Sequence, residues 1–124
     1  MSTTVKTAVD QARSDAQALH KKLEDNKTHD QAAIRASLEN VHSEAKKLVL
    51  SLRPVVEAMY ADDRRLVTDA ITSLETLAHS TKDLAAASNE ELKVKNQAAI
   101  DRLRIAMQKL SRAVAAQRKA ISKN

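Results

Sequence analysis

The 124-residue chain contains no glycine, no cysteine, no phenylalanine and no tryptophan, with one proline, Pro54, and one tyrosine, Tyr60. Without glycine the backbone has almost no residue suited to positive φ, so the connections must be short and mostly right-handed. Tight β-hairpins depend on such residues, which excludes a sheet protein of this length. Phosphate-cradling glycine loops and the strained elbow that presents a nucleophilic serine are excluded with it. The absence of cysteine removes disulfides, thiolate zinc sites and thiol nucleophiles, and it fits a reducing compartment. The absence of large aromatics removes the platforms on which single-stranded nucleic acid stacks. No apolar run approaches the roughly 18 residues of a membrane span. The opening Met1-Ser2-Thr3-Thr4-Val5-Lys6 lacks the apolar core of a secretory signal. The expectation is a soluble, cytoplasmic protein with no transmembrane segment.

What the chain does have is Ala, Leu, Lys, Arg, Gln and Glu, the strongest helix formers. Its length predicts a single domain over 1–124. Apolar residues step by fours and threes through four segments. The first reads Val5, Val9, Ala12, Ala16, Leu19, Leu23, and the second Ile34, Leu38, Val41, Ala45, Leu48, Leu52, Val55, Met59. The third reads Val67, Ala70, Leu74, Leu77, Thr81, Leu84, and the fourth Leu92, Asn96, Ala99, Leu103, Ala106, Leu110, Ala113, Gln117. Flanking Ile71, Ile100, Met107, Val114 and Ile121 widen the later stripes beyond a two-stranded seam, as helices with two neighbours require. The fold class predicted is all-α, an antiparallel up-down-up-down four-helix bundle.

The breaks carry start signals. Thr28 with Gln31, and Ser88 with Glu91, have capping-box spacing, and Asp62 is placed as an N-cap with Asp63 favouring the helix dipole. These predict helices near 3–26, 29–60, 63–87 and 89–122. Pro54 allows two parses: a kink within the second helix, or the first position of the third. The run from Leu48 to Val56 holds no loop former, which favours the kink.

Thr81, Asn96 and Gln117 fall on core positions. Counted from a turn near residue 87, Thr81 and Asn96 lie at similar heights and are expected to bond each other, as a buried Asn that specifies helix register would. Tyr60 is the expected partner of Gln117.

Catalysis and metal binding find little support. Glu39-x-x-His42 matches the step used in di-iron bundles, but it occurs once and the register puts Glu39 on the solvent face. Glu75 and His79 point outward, and His20 and His42 sit about 10 Å apart along the bundle axis at 1.5 Å per residue. The acidic pairs Asp62-Asp63 and Glu90-Glu91 stand where helix starts favour negative charge. No enzyme, metal site or cofactor is expected.

Charge is where the chain departs from an ordinary bundle. From Leu92 onward Lys93, Lys95, Arg102, Arg104, Lys109, Arg112, Arg118, Lys119 and Lys123 face one acid, Asp101, for +8, while the first 91 residues carry 12 bases and 15 acids, or −3. The cations cover the face opposite Leu92, Leu103 and Leu110, with Val94, Ala98, Ile105 and Ala116 among them. A solvated face is the plain alternative, but such faces alternate sign to gain pairs four residues apart, and this one forgoes them. Lys93, Lys95, Arg102, Arg104, Lys109, Arg112, Arg118 and Lys119 are therefore the candidate contacts to an anionic partner: nucleic acid, an acidic protein or an anionic surface. Sequence-specific DNA reading is not expected, because no helix-turn-helix is present. The alternatives are a self-associating homo-oligomer and a metal- or cofactor-carrying bundle using His20, Glu39 and His42. In composition alone, with no diagnostic motif, the chain is similar to the phasins, alanine-rich amphipathic proteins that coat storage granules.

Overall fold

The computed structural model describes the backbone of residues 2–25 and 30–122 and the side chains of 5–25 and 30–116. Four helices follow one another: α1 (Ser2–Asp25), α2 (Gln31–Glu57), α3 (Ala61–Ser80) and α4 (Asn89–Ser122). They form an all-α four-helix bundle, with no strand among the described residues. The packing is α4 on α1 and α3, α2 on α3 and more lightly on α1, with a slight diagonal contact between α2 and α4. Every described position of the four apolar stripes is buried except Val55, which is half-buried. The fully buried leucines Leu23, Leu38, Leu52, Leu74, Leu77, Leu92, Leu103 and Leu110 line the axis. Burying a leucine side chain contributes on the order of 2 kcal/mol, so these stripes supply most of the drive to fold.

Both ends of α2 and both ends of α3 differ from expectation. Asp30 is the N-cap of α2, its side chain accepting from the Ala33 N–H at 2.9 Å, and the helix begins at Gln31. Thr28, the expected cap, lies outside the described residues. Pro54 lies inside α2 on its exposed side, and the helix continues to Glu57, short of the expected residue 60. Exposure lets water serve the Leu50 carbonyl, to which proline offers no N–H.

Helix α3 has Tyr60 as its N-cap, with no side-chain bond, so Asp62 stands in the first turn rather than at the cap. Arg64 instead reaches back across the connection, donating to the Val56 and Met59 carbonyls at 3.1 and 3.0 Å. Helix α3 ends at Ser80, not 87. The Thr81 hydroxyl takes the Leu77 carbonyl at 2.8 Å, and Asp83 turns into the left-handed region at φ 56°. Asp is one of the few non-glycine residues that tolerates this conformation. Arg35 of α2 then staples the connection, its guanidinium donating to the Leu84 and Ala87 carbonyls at 3.2 and 3.1 Å. Ser88 caps α4 as expected, accepting from the Glu91 N–H at 3.1 Å.

Candidate anion-binding surface

Helix α4 sits in the angle between α1 and α3, and three cross-helix bonds set its position. The buried Ser73 hydroxyl donates to the Arg102 carbonyl at 2.7 Å. Lys95 donates to the Ser80 carbonyl at 2.8 Å, where α3 ends and cations are favoured. Asn96 donates to the Leu23 carbonyl near the end of α1 at 3.2 Å, leaving its Oδ1 buried without a partner. The expected Asn96–Thr81 bond does not form: Thr81 bonds its own helix, while His42 of α2 approaches it at 3.3 Å and the Ala78 carbonyl at 2.6 Å. A carbonyl can only accept, so Nδ1 is the nitrogen of His42 that carries the proton. Tyr60 is 81% exposed, and the Gln117 side chain, its expected partner, lies outside the described residues.

Six of the eight candidate cations have described side chains, and they divide into two kinds. Lys95 bonds the Ser80 carbonyl, Lys109 pairs with Asp69 of α3 at 3.4 Å, and Arg104 stands in long contacts with Asp101 at 3.5 Å and Glu24 of α1 at 3.9 Å. Lys93, Arg102 and Arg112 are exposed, and their side chains have no ion-pair or hydrogen-bond partner among the described residues. Arg118 and Lys119 lie on the last turns of α4, with side chains outside the described residues.

The bundle also brings α1 to this surface. Helices α1 and α4 run antiparallel, with Glu24 beside Arg104, His20 near Gln108 and Arg13 near Ala115. Between them lies a groove of about 560 Å³ lined by His20, Arg104, Met107, Gln108, Ser111 and Arg112. Past Ser111 a second hollow of about 340 Å³ is lined by Arg13, Val114 and Ala115. Arg13 is itself held by Asp10 at 2.8 Å and Gln17 at 3.2 Å. His20 Nε2 is shielded from solvent without a hydrogen bond, 3.7 Å from Glu24 Oε1. The polar groups lining both hollows are hydrogen-bond donors or can act as donors, and no carboxylate lines either among the described residues. The contribution of Arg13 and His20 is not legible from α4 alone; the signal for it is the antiparallel register of the first and fourth stripes.

The residues considered for metal binding remain apart. Glu39 and His79 are exposed, Glu75 pairs with Arg53 at 2.7 Å, and His20 and His42 face different neighbours. No cluster of three His, Asp or Glu side chains suited to a metal ion occurs among the described residues. Among the same residues, no helix is long and apolar enough to cross a membrane.

No protein-family model, no curated protein and no solved structure matches this chain.

Proposed function

We propose that this protein is a non-enzymatic interaction module, a helical bundle that offers the basic face of α4 to an anionic macromolecule or surface. One observation carries the reading: α4 holds eight bases against three acids, and the side chains of Lys93, Arg102 and Arg112 are exposed with no partner among the described residues. A helix with so large an excess of bases forgoes the pairs four residues apart that an ordinary solvated face gains, and is poorly explained as mere solvation. With no Phe or Trp in the sequence and no recognition turn among the described residues, binding is driven by phosphate or carboxylate charge and is weakly specific.

The test is binding at low salt to a mixed-sequence DNA duplex, to vesicles rich in anionic lipid and to polyglutamate. Binding to at least one, lost steeply as salt rises, is the expected result. Silence toward all three overturns the reading.

Self-association is the second reading, and a specific feature favours it. Leu50 is 70% exposed beside a shallow groove of about 290 Å³ that also includes Val49 and Ala78, with Lys46 and Glu75 on its rims. Light scattering of the wild type and of Leu50→Glu separates the two readings. A dimer broken by Leu50→Glu supports self-association, and a monomer in both removes it.

A further inference from the structure

We propose that the groove between α1 and α4 is a binding site for a short condensed-phosphate chain. This deepens the anion reading and rests on it. Chemistry, shape and exclusion each support it.

The groove offers donors along one side of α4. Arg104 and Arg112 bring guanidiniums, Gln108 an amide and Ser111 a hydroxyl, with Met107 and the His20 ring completing the lining, while Arg13 just beyond is held by Asp10 at 2.8 Å. Guanidiniums match phosphate oxygens in forked pairs, and neutral donors complete the shell. The backbone N–H groups along this stretch lie within helices, so the side chains must do the recognising, unlike in a glycine loop.

Shape argues for a chain of phosphates. Arg104 and Arg112 stand eight residues apart on one helix, a rise of about 12 Å at 1.5 Å per residue, with Gln108 and Ser111 between them. A single tetrahedral anion meets one end of that line, whereas linked phosphoryl groups run along it. The groove is open to solvent, so the arginines rather than enclosure would hold the ligand. The walls are two helices, which suits one unbranched chain better than the convex backbone of a duplex.

Exclusion narrows the ligand further. No aromatic lines the groove, and Tyr60, the chain's one aromatic, is exposed at the α2–α3 connection. No Phe, Tyr or Trp offers a base a broad platform there, so the site is proposed to read the phosphates, whether inorganic or attached to a nucleoside. Arg104 is available to a ligand despite its two carboxylates. Its contacts at 3.5 and 3.9 Å are far longer than the roughly 2.8 Å of a strong charge-assisted hydrogen bond.

The experiment is calorimetric titration of the full chain with tripolyphosphate, ATP, orthophosphate and adenosine, with magnesium absent. Tripolyphosphate and ATP should bind alike, orthophosphate at least about tenfold more weakly, and adenosine not at all. Arg104→Gln and Arg112→Gln should each weaken tripolyphosphate about tenfold. Glu24→Gln, which releases Arg104 and removes a carboxylate from its side, should tighten binding about threefold, while Glu57→Gln, the same charge change elsewhere, should leave it unchanged. These positions lie at or near the surface, and a thermal melt verifies that each variant is folded.

Equal binding of orthophosphate, strong preference for ATP, or indifference to both arginine variants overturns the proposal. Silence toward tripolyphosphate with duplex DNA still bound sinks the groove and spares the broader anion reading. Silence toward every anion sinks both.

Discussion

Helices α2 and α4 lie diagonally across the bundle, and both carry basic side chains, but the two sets are put to different uses. On α2, Arg35 reaches the Leu84 and Ala87 carbonyls, Lys47 pairs with Glu44 at 3.4 Å and Arg53 with Glu75 at 2.7 Å. Four bases face three acids on that helix, and most of them are answered within the bundle. On α4, eight bases face Glu90, Glu91 and Asp101. There the side chains of Lys93, Arg102 and Arg112 have no partner among the described residues. The difference teaches that a charge count alone does not locate a binding surface. What separates α4 from α2 is its excess of bases over acids and the three described cations left unanswered, against Lys46 alone on α2, together with the groove α4 forms with α1. The α2–α3 flank presents an apolar dent around Leu50 instead.

The comparison is broken most forcefully by neutralising three cations on each helix. Lys93→Gln, Arg102→Gln and Arg112→Gln together should lower the log–log salt slope of duplex binding by up to about 2.7, at about 0.9 for each phosphate no longer neutralised. Lys46→Gln, Lys47→Gln and Arg53→Gln together should leave that slope unchanged. Equal losses from the two triples would erase the distinction between the helices.

Stability should sort the other way. Arg35→Ala removes the donor to two carbonyls in the α3–α4 connection and should cost about 1–3 kcal/mol by chemical denaturation. Arg112→Ala, which breaks no described contact, should stay within about 0.5 kcal/mol.

Two smaller effects sharpen the picture. Asn96→Leu should change stability by less than about 1 kcal/mol, because losing the bond to Leu23 is offset by removing the buried, unpartnered Oδ1. Its visible consequence should be a less sharply defined helix register, read as broader side-chain NMR signals. Arg53→Ala, which breaks a surface pair whose side chains are about half exposed, should cost less than about 0.5 kcal/mol in the same denaturation.

Much of this architecture is legible in the residues themselves. The stripes from Val5 to Leu23 and from Leu92 to Ala113 are buried position by position, because a four-three repeat can satisfy only one face of a helix. The Ser88–Glu91 cap is equally local and equally readable. The end of α3 is not, because Ala85-Ala86-Ala87 favours helix on its own and the staple that holds it otherwise comes from Arg35, about fifty residues away. That misplaced end also explains the Thr81–Asn96 expectation. Heights counted from residue 87 set the two level, whereas a helix ending at Ser80 turns Thr81 into a local cap and leaves Asn96 facing Leu23. Of the candidate surface, the cations of α4 could be found by counting charge. The share contributed by Arg13 and His20 could not, since it depends on the register between the two ends of the chain.

The most direct test of the central claim is an NMR titration of the labelled protein with a short mixed-sequence DNA duplex at low salt. Phosphate-driven binding is weakly specific, so a surface of this kind responds to such a probe whatever its natural partner. Backbone shift changes concentrated at Lys93, Arg102, Arg112 and the facing residues of α1 are the predicted result. Changes centred on Lys46 to Arg53 of α2, or none anywhere, would contradict it.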